Sequence, residues 1–195
     1  DALRQRVALA FSEIFVVSGN DIGSNWPVHM MAQYWDVLVA GATTSFRKLI
    51  EDITLNPAMG FYLNTKGNQK ENTATGRQPD ENYAREVMQL MTIGLVQLNA
   101  DGSVKTDAAG KPLDSYTQDD VTNLARVFTG YDLDIKAGER NTVTPPGASY
   151  TIESNAWTQR PMALTASRHS TLAATFLGTT IPAGSPGDQA LKAAR

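Results

Sequence analysis

Pro79-Asp-Glu-Asn-Tyr-Ala-Arg-Glu-Val-Met-Gln-Leu-Met-Thr-Ile-Gly94 is the stretch whose reading decides the fold. It predicts one helix. Pro79 suits the first helical position, where a missing N–H costs nothing, and Asp80 and Glu81 place negative charge at the positive end of the helix dipole. Gly94 can adopt the left-handed conformation that ends a helix. Tyr83, Val87, Leu90 and Met91, widened by Ala84 and Met88, recur at helical spacing and predict a broad buried face. The other side is dense in hydrogen-bonding groups: Glu81, Arg85 and Gln89 form one i, i+4, i+8 row, and Asn82 and Glu86 the adjacent one. Two readings of that strip stand side by side. It is a site, or it is a solvated face on which a Glu81–Arg85 pair contributes about 0.2–0.5 kcal/mol.

The chain of 195 residues is long enough for a proper core. Its 42% apolar and 19% charged content are those of a globular protein. A net charge of −3 with no Lys/Arg cluster gives no electrostatic footprint for nucleic acid. No apolar run approaches the roughly 20 residues that cross a bilayer. The absence of cysteine removes disulfides, thiolate metal sites and thiol nucleophiles. Asp1 leads directly into a helical pattern, and residues 188–195 look like the opening turns of a helix that is then cut. The expectation is therefore a single fragment, residues 1–195, of a larger mainly helical domain, with a protein partner or self-association through the truncated end.

Outward from the central stretch, Leu3, Val7, Ala10, Phe11 and Ile14 predict a first helix reaching Ser18-Gly19. A second starts at Pro27 behind a Ser24 or Asn25 cap, with Met31, Tyr34, Trp35 and Leu38 inward and His29 on its polar side. A third follows Thr44, and Asn56-Pro57 opens a short fourth. Residues 65–78 are polar and read as a loop feeding the central helix, a common place for function. After Gly94, residues 95–104 read as a small hairpin turning at Asp101-Gly102. Its Asn99, Asp101, Ser103 and Asp107 have a passing likeness to a calcium loop, but the glycine is misplaced and no closing Glu follows. Thr117 and Asp120 form a capping box before the helical stripe Val121, Leu124, Ala125 and Phe128. About residues 131–168, periodicity disappears, which predicts a long irregular excursion of the kind that often covers or lines a site. The fold expected is mainly α: a multi-helix bundle around a central buried helix, with one small hairpin and that excursion.

No phosphate loop, Gly-x-Ser-x-Gly elbow or His-Glu-x-x-His is present. With only His29 and His169 available, a metal would have to lean on carboxylates, and nothing in the spacing demands one. No cofactor is indicated.

Pro79 to Glu86, with Gln89-Leu90 and Gly94-Leu95, resembles the signature of the large bacterial family called domain of unknown function 1800. The likeness runs through Arg6-Val7-Ala8, Val16-Val17-Ser18, Asn56 to Gly60 with Tyr62-Leu63, Gly67-Asn68 with Lys70, Asn99 with Asp101-Gly102, Tyr116-Thr117 with Asp120, and Ala125 to Gly130. His169 and Phe176-Leu177-Gly178 resemble that family's later positions. Ser170 stands where an acidic residue is usual, and the Lys usual before the Phe is missing. The resemblance implies no established activity. Its members are typically longer, and many look exported and sit beside genes for a secreted, sulfatase-like family, which implies a periplasmic or extracellular location.

Two functions follow as expectations. The first is an exported hydrolase acting on a polymer or its fragments. Its catalytic candidates are Glu81, Arg85, Glu86 and His169, and its binding candidates are Asn68, Lys70, Asp80, Asn82 and Arg126. The second is a non-catalytic envelope binding or assembly protein in which the same polar residues tie loop to helices. Burial discriminates, because a sealed network supports structure and an open cleft supports a site. Asp80 or Glu81, with Arg85 or Glu86, is expected to contact the Asn68 to Lys70 segment or the Asp119 to Arg126 helix.

Overall fold

The computed structural model describes Asp1 to Ala194. Two compact units emerge, each assembled from separate stretches: Asp1–Gly67 with Tyr131–Thr165, and Asn68–Gly130 with Ala166–Arg195.

In the first unit, α1 (Ala2–Ser12) is capped by the Asp1 carboxylate, which accepts the Leu3 N–H at 3.1 Å. It stops short of the expected Ser18-Gly19. The buried groups there are Ala8 and, past the helix, Phe15, while Leu3 faces outward. α2 (Pro27–Gly41) starts at Pro27 as expected, but Trp26 holds the cap position and the Ser24 hydroxyl accepts its N–H. Met30, Tyr34, Leu38 and Gly41 are its buried positions. A Cβ at Gly41 would come within 2.5 Å of Leu49 on α3 (Phe46–Thr54), so glycine lets these two helices approach closely. α4 (Pro57–Tyr62) is capped by Asn56, whose side-chain oxygen accepts the Ala58 and Met59 N–H groups.

The later stretch of this unit holds β1 (Tyr131–Asp132), β2 (Arg140–Val143), β3 (Tyr150–Glu153) and β4 (Ala163–Leu164). β1 pairs with β4 and β2 with β3, both antiparallel, with Arg140 opposite Glu153. Arg160 pins the connection between them: its guanidinium donates to the Asp134 carbonyl and to Glu139. That hydrogen bond holds the Glu139 carboxyl below its ordinary pKa.

In the second unit, α5 (Asn82–Glu86) continues as a π-helix over Val87–Thr92. Residues 95–115 double back through isolated bridges, Val96 to Asp114, Leu98 to Val104 and Thr106 to Pro112. α6 (Gln118–Val127) carries the capping box of Thr117 and Asp120. β5 (Ala174–Phe176) and β6 (Thr179–Ile181) form an antiparallel hairpin turning at Leu177-Gly178, and α7 (Gly187–Ala193) follows.

The expected mainly α bundle around one central buried helix is therefore overturned. Helices account for 41% of the chain and strands for 13%, the strands lying in three two-stranded sheets. The stretch expected to form one helix from Pro79 begins three residues later, because the Asp80 carboxylate turns back to accept the Asn82 N–H at 2.8 Å. Past Glu86 the turn widens, and the Met88 carbonyl accepts from Ile93 and Gly94 instead of Thr92. Widening shifts every later side chain off the 3.6-residue stripe. Tyr83, Ala84, Met88 and Met91 are buried, but Leu90 is 63% exposed. Residues 131–168 hold the short strands β1 to β4, joined by irregular chain. Strands of two to four residues, several of them exposed, are too short to write a legible alternation.

Tyr34 gives a direct test of the first unit. Its hydroxyl donates to the Phe15 carbonyl, and burial pushes its pKa from 10.0 up to about 12. Tyr34→Phe leaves that carbonyl without its partner, and urea denaturation at neutral pH is expected to register a loss of about 1–3 kcal/mol. Because the folded pKa is raised, the protonated hydroxyl contributes fully below pH 10.0 and its contribution is lost as pH rises through about 12. The gap between wild type and variant is expected to narrow over that window.

Candidate functional site

All nine candidate residues lie in the second unit. They do not converge. They separate into a carboxylate network between α5 and α6, an amide clamp at Asn68, and a buried cluster around His169.

Glu81, at the N-cap of α5, faces the first turns of α6. Its Oε1 accepts the Thr122 hydroxyl at 2.7 Å, and its Oε2 accepts Arg85 Nη2 at 3.1 Å and Gln118 Nε2 at 2.8 Å. Arg85 also donates to Gln118 Oε1 at 3.0 Å. The Glu81 and Arg85 side chains are 31% and 38% exposed, so the network is neither sealed nor an open cleft. The expected contact with α6 is thus made through Glu81 and Arg85. Gln118 and Thr122 are not among the sequence candidates, although their i, i+4 spacing after the Thr117 cap puts them on one face. Glu86 stands apart: among the described residues its buried Oε2 has no hydrogen-bond partner.

Asn68, 8% exposed, clamps the backbone of Asp80. Its Oδ1 accepts the Asp80 N–H at 2.9 Å and its Nδ2 donates to the Asp80 carbonyl at 3.1 Å. Lys70 takes part through its backbone, donating to the Arg168 carbonyl at 2.8 Å and accepting Arg77 Nε at 3.0 Å. Asp80 uses its carboxylate on the Asn82 N–H, and the Asn82 side chain makes no hydrogen bond among the described residues.

His169, 5% exposed, packs against Gly130. Gly130 has φ +89, and a Cβ there would meet the His169 backbone at 3.0 Å, so both conformation and space require glycine. His169 Nδ1 lies 2.9 Å from the Thr129 carbonyl. A carbonyl only accepts, so Nδ1 carries the proton and the ring is held by backbone. The Thr129 hydroxyl donates to the Arg126 carbonyl and accepts the Ser170 N–H at 2.8 Å. Ser170 Oγ, 3.0 Å from both Glu71 oxygens, donates to that carboxylate. Arg126 Nη1 donates to Asn123 and, at 3.3 Å, to the Ala173 carbonyl. The cavity bordered by Arg126, His169, Ser170 and Ile181 measures about 10 Å³. That is room for about one water and no substrate. Glu71 carries no sequence signal, being a lone acid in a polar loop, and Thr129 stands out only as part of the Ala125 to Gly130 likeness, with nothing to mark a partner for it.

Among the described residues, no group of three or more His, Cys, Asp or Glu side chains is placed to hold a metal. The Asp101 carboxylate of the calcium-like turn is engaged by the Ser103 hydroxyl and N–H, and the hydroxyl leads in holding its pKa below the ordinary value. No helix among the described residues is long and apolar enough to cross a membrane.

The profile of the family described as "Protein of unknown function (DUF1800)" matches residues 1–195, the whole chain. The chain belongs to the DUF1800 family. No curated protein and no solved structure matches it. In this DUF1800 chain the residue after the histidine, Ser170, hands its proton toward Glu71 instead of presenting a carboxylate of its own.

Asp120 ties α6 to the β5–β6 turn. One oxygen completes the capping box and the other accepts the Leu177 N–H at 2.8 Å, where Leu177 holds a φ of +48. Burial pushes its carboxyl pKa upward, but the Leu177 and Thr117 N–H groups and the Thr117 hydroxyl outweigh it and hold the pKa below 3.8. A depressed carboxylate contributes above its unfolded pKa and loses that contribution as pH falls through the folded value. Asp120→Ala is expected to cost about 0.5–2 kcal/mol at neutral pH, the range of a lost cap. Melting curves of both proteins should converge below the ordinary value of 3.8 and stay parallel above it. A gap independent of pH would refute this role.

Proposed function

We propose that this chain serves a non-catalytic binding or assembly role in the bacterial envelope, with its polar strip holding the fold together. The observation that carries this is the engagement of Glu81, whose two oxygens together accept from three donors of the same unit and keep about one of four lone-pair positions open. A general base needs a lone pair within reach of the proton it removes. Arg85 Nη2 bridges Glu81 and Gln118, which ties α5 to α6. His169 is held by a carbonyl beside a space of about one water. The envelope placement rests on the family resemblance.

Replacing Glu81 by Ala removes the acceptor shared by Thr122, Arg85 and Gln118. Partial exposure lets water take up part of the loss, so about 1–2 kcal/mol is expected. For a chain of this size that corresponds to a fall in Tm of about 3–6 °C. Arg85→Ala is expected to move Tm in the same direction by less, because two of the three donors to Glu81 remain. Both proteins are to be assayed in parallel with wild type on glycan, ester, peptide and sulfate-ester substrates. Turnover by wild type that Glu81→Gln abolishes at unchanged Tm would overturn the proposal and restore the hydrolase.

A further inference from the structure

The first unit holds a cavity of about 240 Å³ bordered by Ser24, Asn25, Lys66, Arg140, Glu153 and Trp157. Its walls are rich in donors that the described residues leave unused. Trp157 is 1% exposed, its indole N–H can only donate, and that group has no partner among the described residues. A buried donor without an acceptor carries a desolvation penalty that a ligand oxygen would relieve. The Lys66 ammonium lies 5.0 Å above the Phe61 ring and 3.9 Å from Asp132, too far for a hydrogen bond. Arg140 engages Glu153 through Nε at 2.6 Å, and its two Nη groups make no hydrogen bond among the described residues. Ser24 accepts the Trp26 N–H through its oxygen, which leaves the hydroxyl proton to donate.

Glu153 is the one acid among the described residues bordering this space, and Arg140 neutralises it. Lys66 is balanced in charge by Asp132 across 3.9 Å without a hydrogen bond, so its ammonium protons stay free to donate. A sugar or a nucleobase would ask for acceptors as well as donors, and a cation would find no carboxylate here that is not already beside one. We infer that this cavity binds a small oxyanion, the carboxylate or phosphate group of a small molecule, through Trp157 Nε1, Lys66 Nζ and the Arg140 Nη donors. Charge-assisted bonds from a fixed indole and two cations are the strong class of hydrogen bond and would select such a group. The cavity belongs wholly to the first unit, so its occupancy is independent of the role of Glu81.

The test follows the indole N–H resonance of Trp157 in the full chain, assigned by comparison with Trp157→Phe. Phosphate, acetate and, as a control, chloride are titrated at constant ionic strength. A saturable shift with phosphate alone, acetate alone or both supports the site and identifies which oxyanion it takes. Lys66→Met is expected to weaken that affinity about tenfold, the loss of one charge-assisted contact. Lys105→Met, in the second unit, is expected to leave it unchanged. No saturable shift with either anion, or equal affinity in wild type and Lys66→Met, overturns the inference. If Trp157→Phe does not fold, the affinities of wild type and Lys66→Met still decide between these outcomes.

Discussion

The second unit depends on one buried amide. Asn68 satisfies both backbone groups of Asp80 with its side chain, as a neighbouring strand would, and its own carbonyl accepts the Gly130 N–H at 2.8 Å. Three remote pieces of chain meet there: the polar loop, the approach to α5 and the end of α6. Only a carboxamide offers a donor and an acceptor side by side, so Asp at this position would lose the bond to the Asp80 carbonyl. Once Gly130 is fixed, its left-handed φ turns the chain beneath His169 with no space for a side chain. Thr129 is then positioned to bond both His169 and Ser170, and Ser170 to bond Glu71. The histidine cluster is thus a consequence of the amide clamp.

The π-helical turn is the second constraint. A π turn gives poorer backbone geometry than an α turn and persists where surrounding contacts compensate. Here Thr92 helps: its hydroxyl donates to the Val87 carbonyl five residues back at 2.6 Å, bracing the widened turn from its side chain. Met88 and Met91 fill the interior, and flexible thioether side chains suit the irregular spacing that a π turn imposes. Leu90 and Ile93 are rotated outward as a result.

What was legible in the sequence follows from interaction range. The helix start at Pro27 and the caps at Asn56-Pro57 and Thr117 with Asp120 were readable, because such signals are settled within three or four residues. The α2 cap fell to Trp26 and not to Ser24 or Asn25. The polar row Glu81, Arg85 was also readable, and it does meet α6. The π turn was not, since Val87 to Thr92 has the composition of an ordinary helix and the extra residue per turn is set by packing. Nor were β1 to β4. Tyr131 pairs with Leu164 across more than thirty positions, and two residues of strand carry no period. The His169 cluster escaped for the same reason: Glu71 and Ser170 are 99 positions apart.

Polar density in sequence and chemical availability in structure turn out to be different properties. Glu81 and Arg85 find neighbours one helical turn away and on α6, and a carboxylate with three donors has little left to offer a ligand. Availability arises where geometry frustrates pairing. Lys66 is held too far from Asp132 to donate, Arg140 reaches Glu153 with one nitrogen of three, and Trp157 is enclosed among side chains that offer its N–H nothing. None of these three is near another in sequence, and each on its own reads as an ordinary surface cation or core aromatic. Folding that leaves a buried donor unsatisfied works against stability, and such a group persists when something else, such as an ordered water or a ligand, completes it.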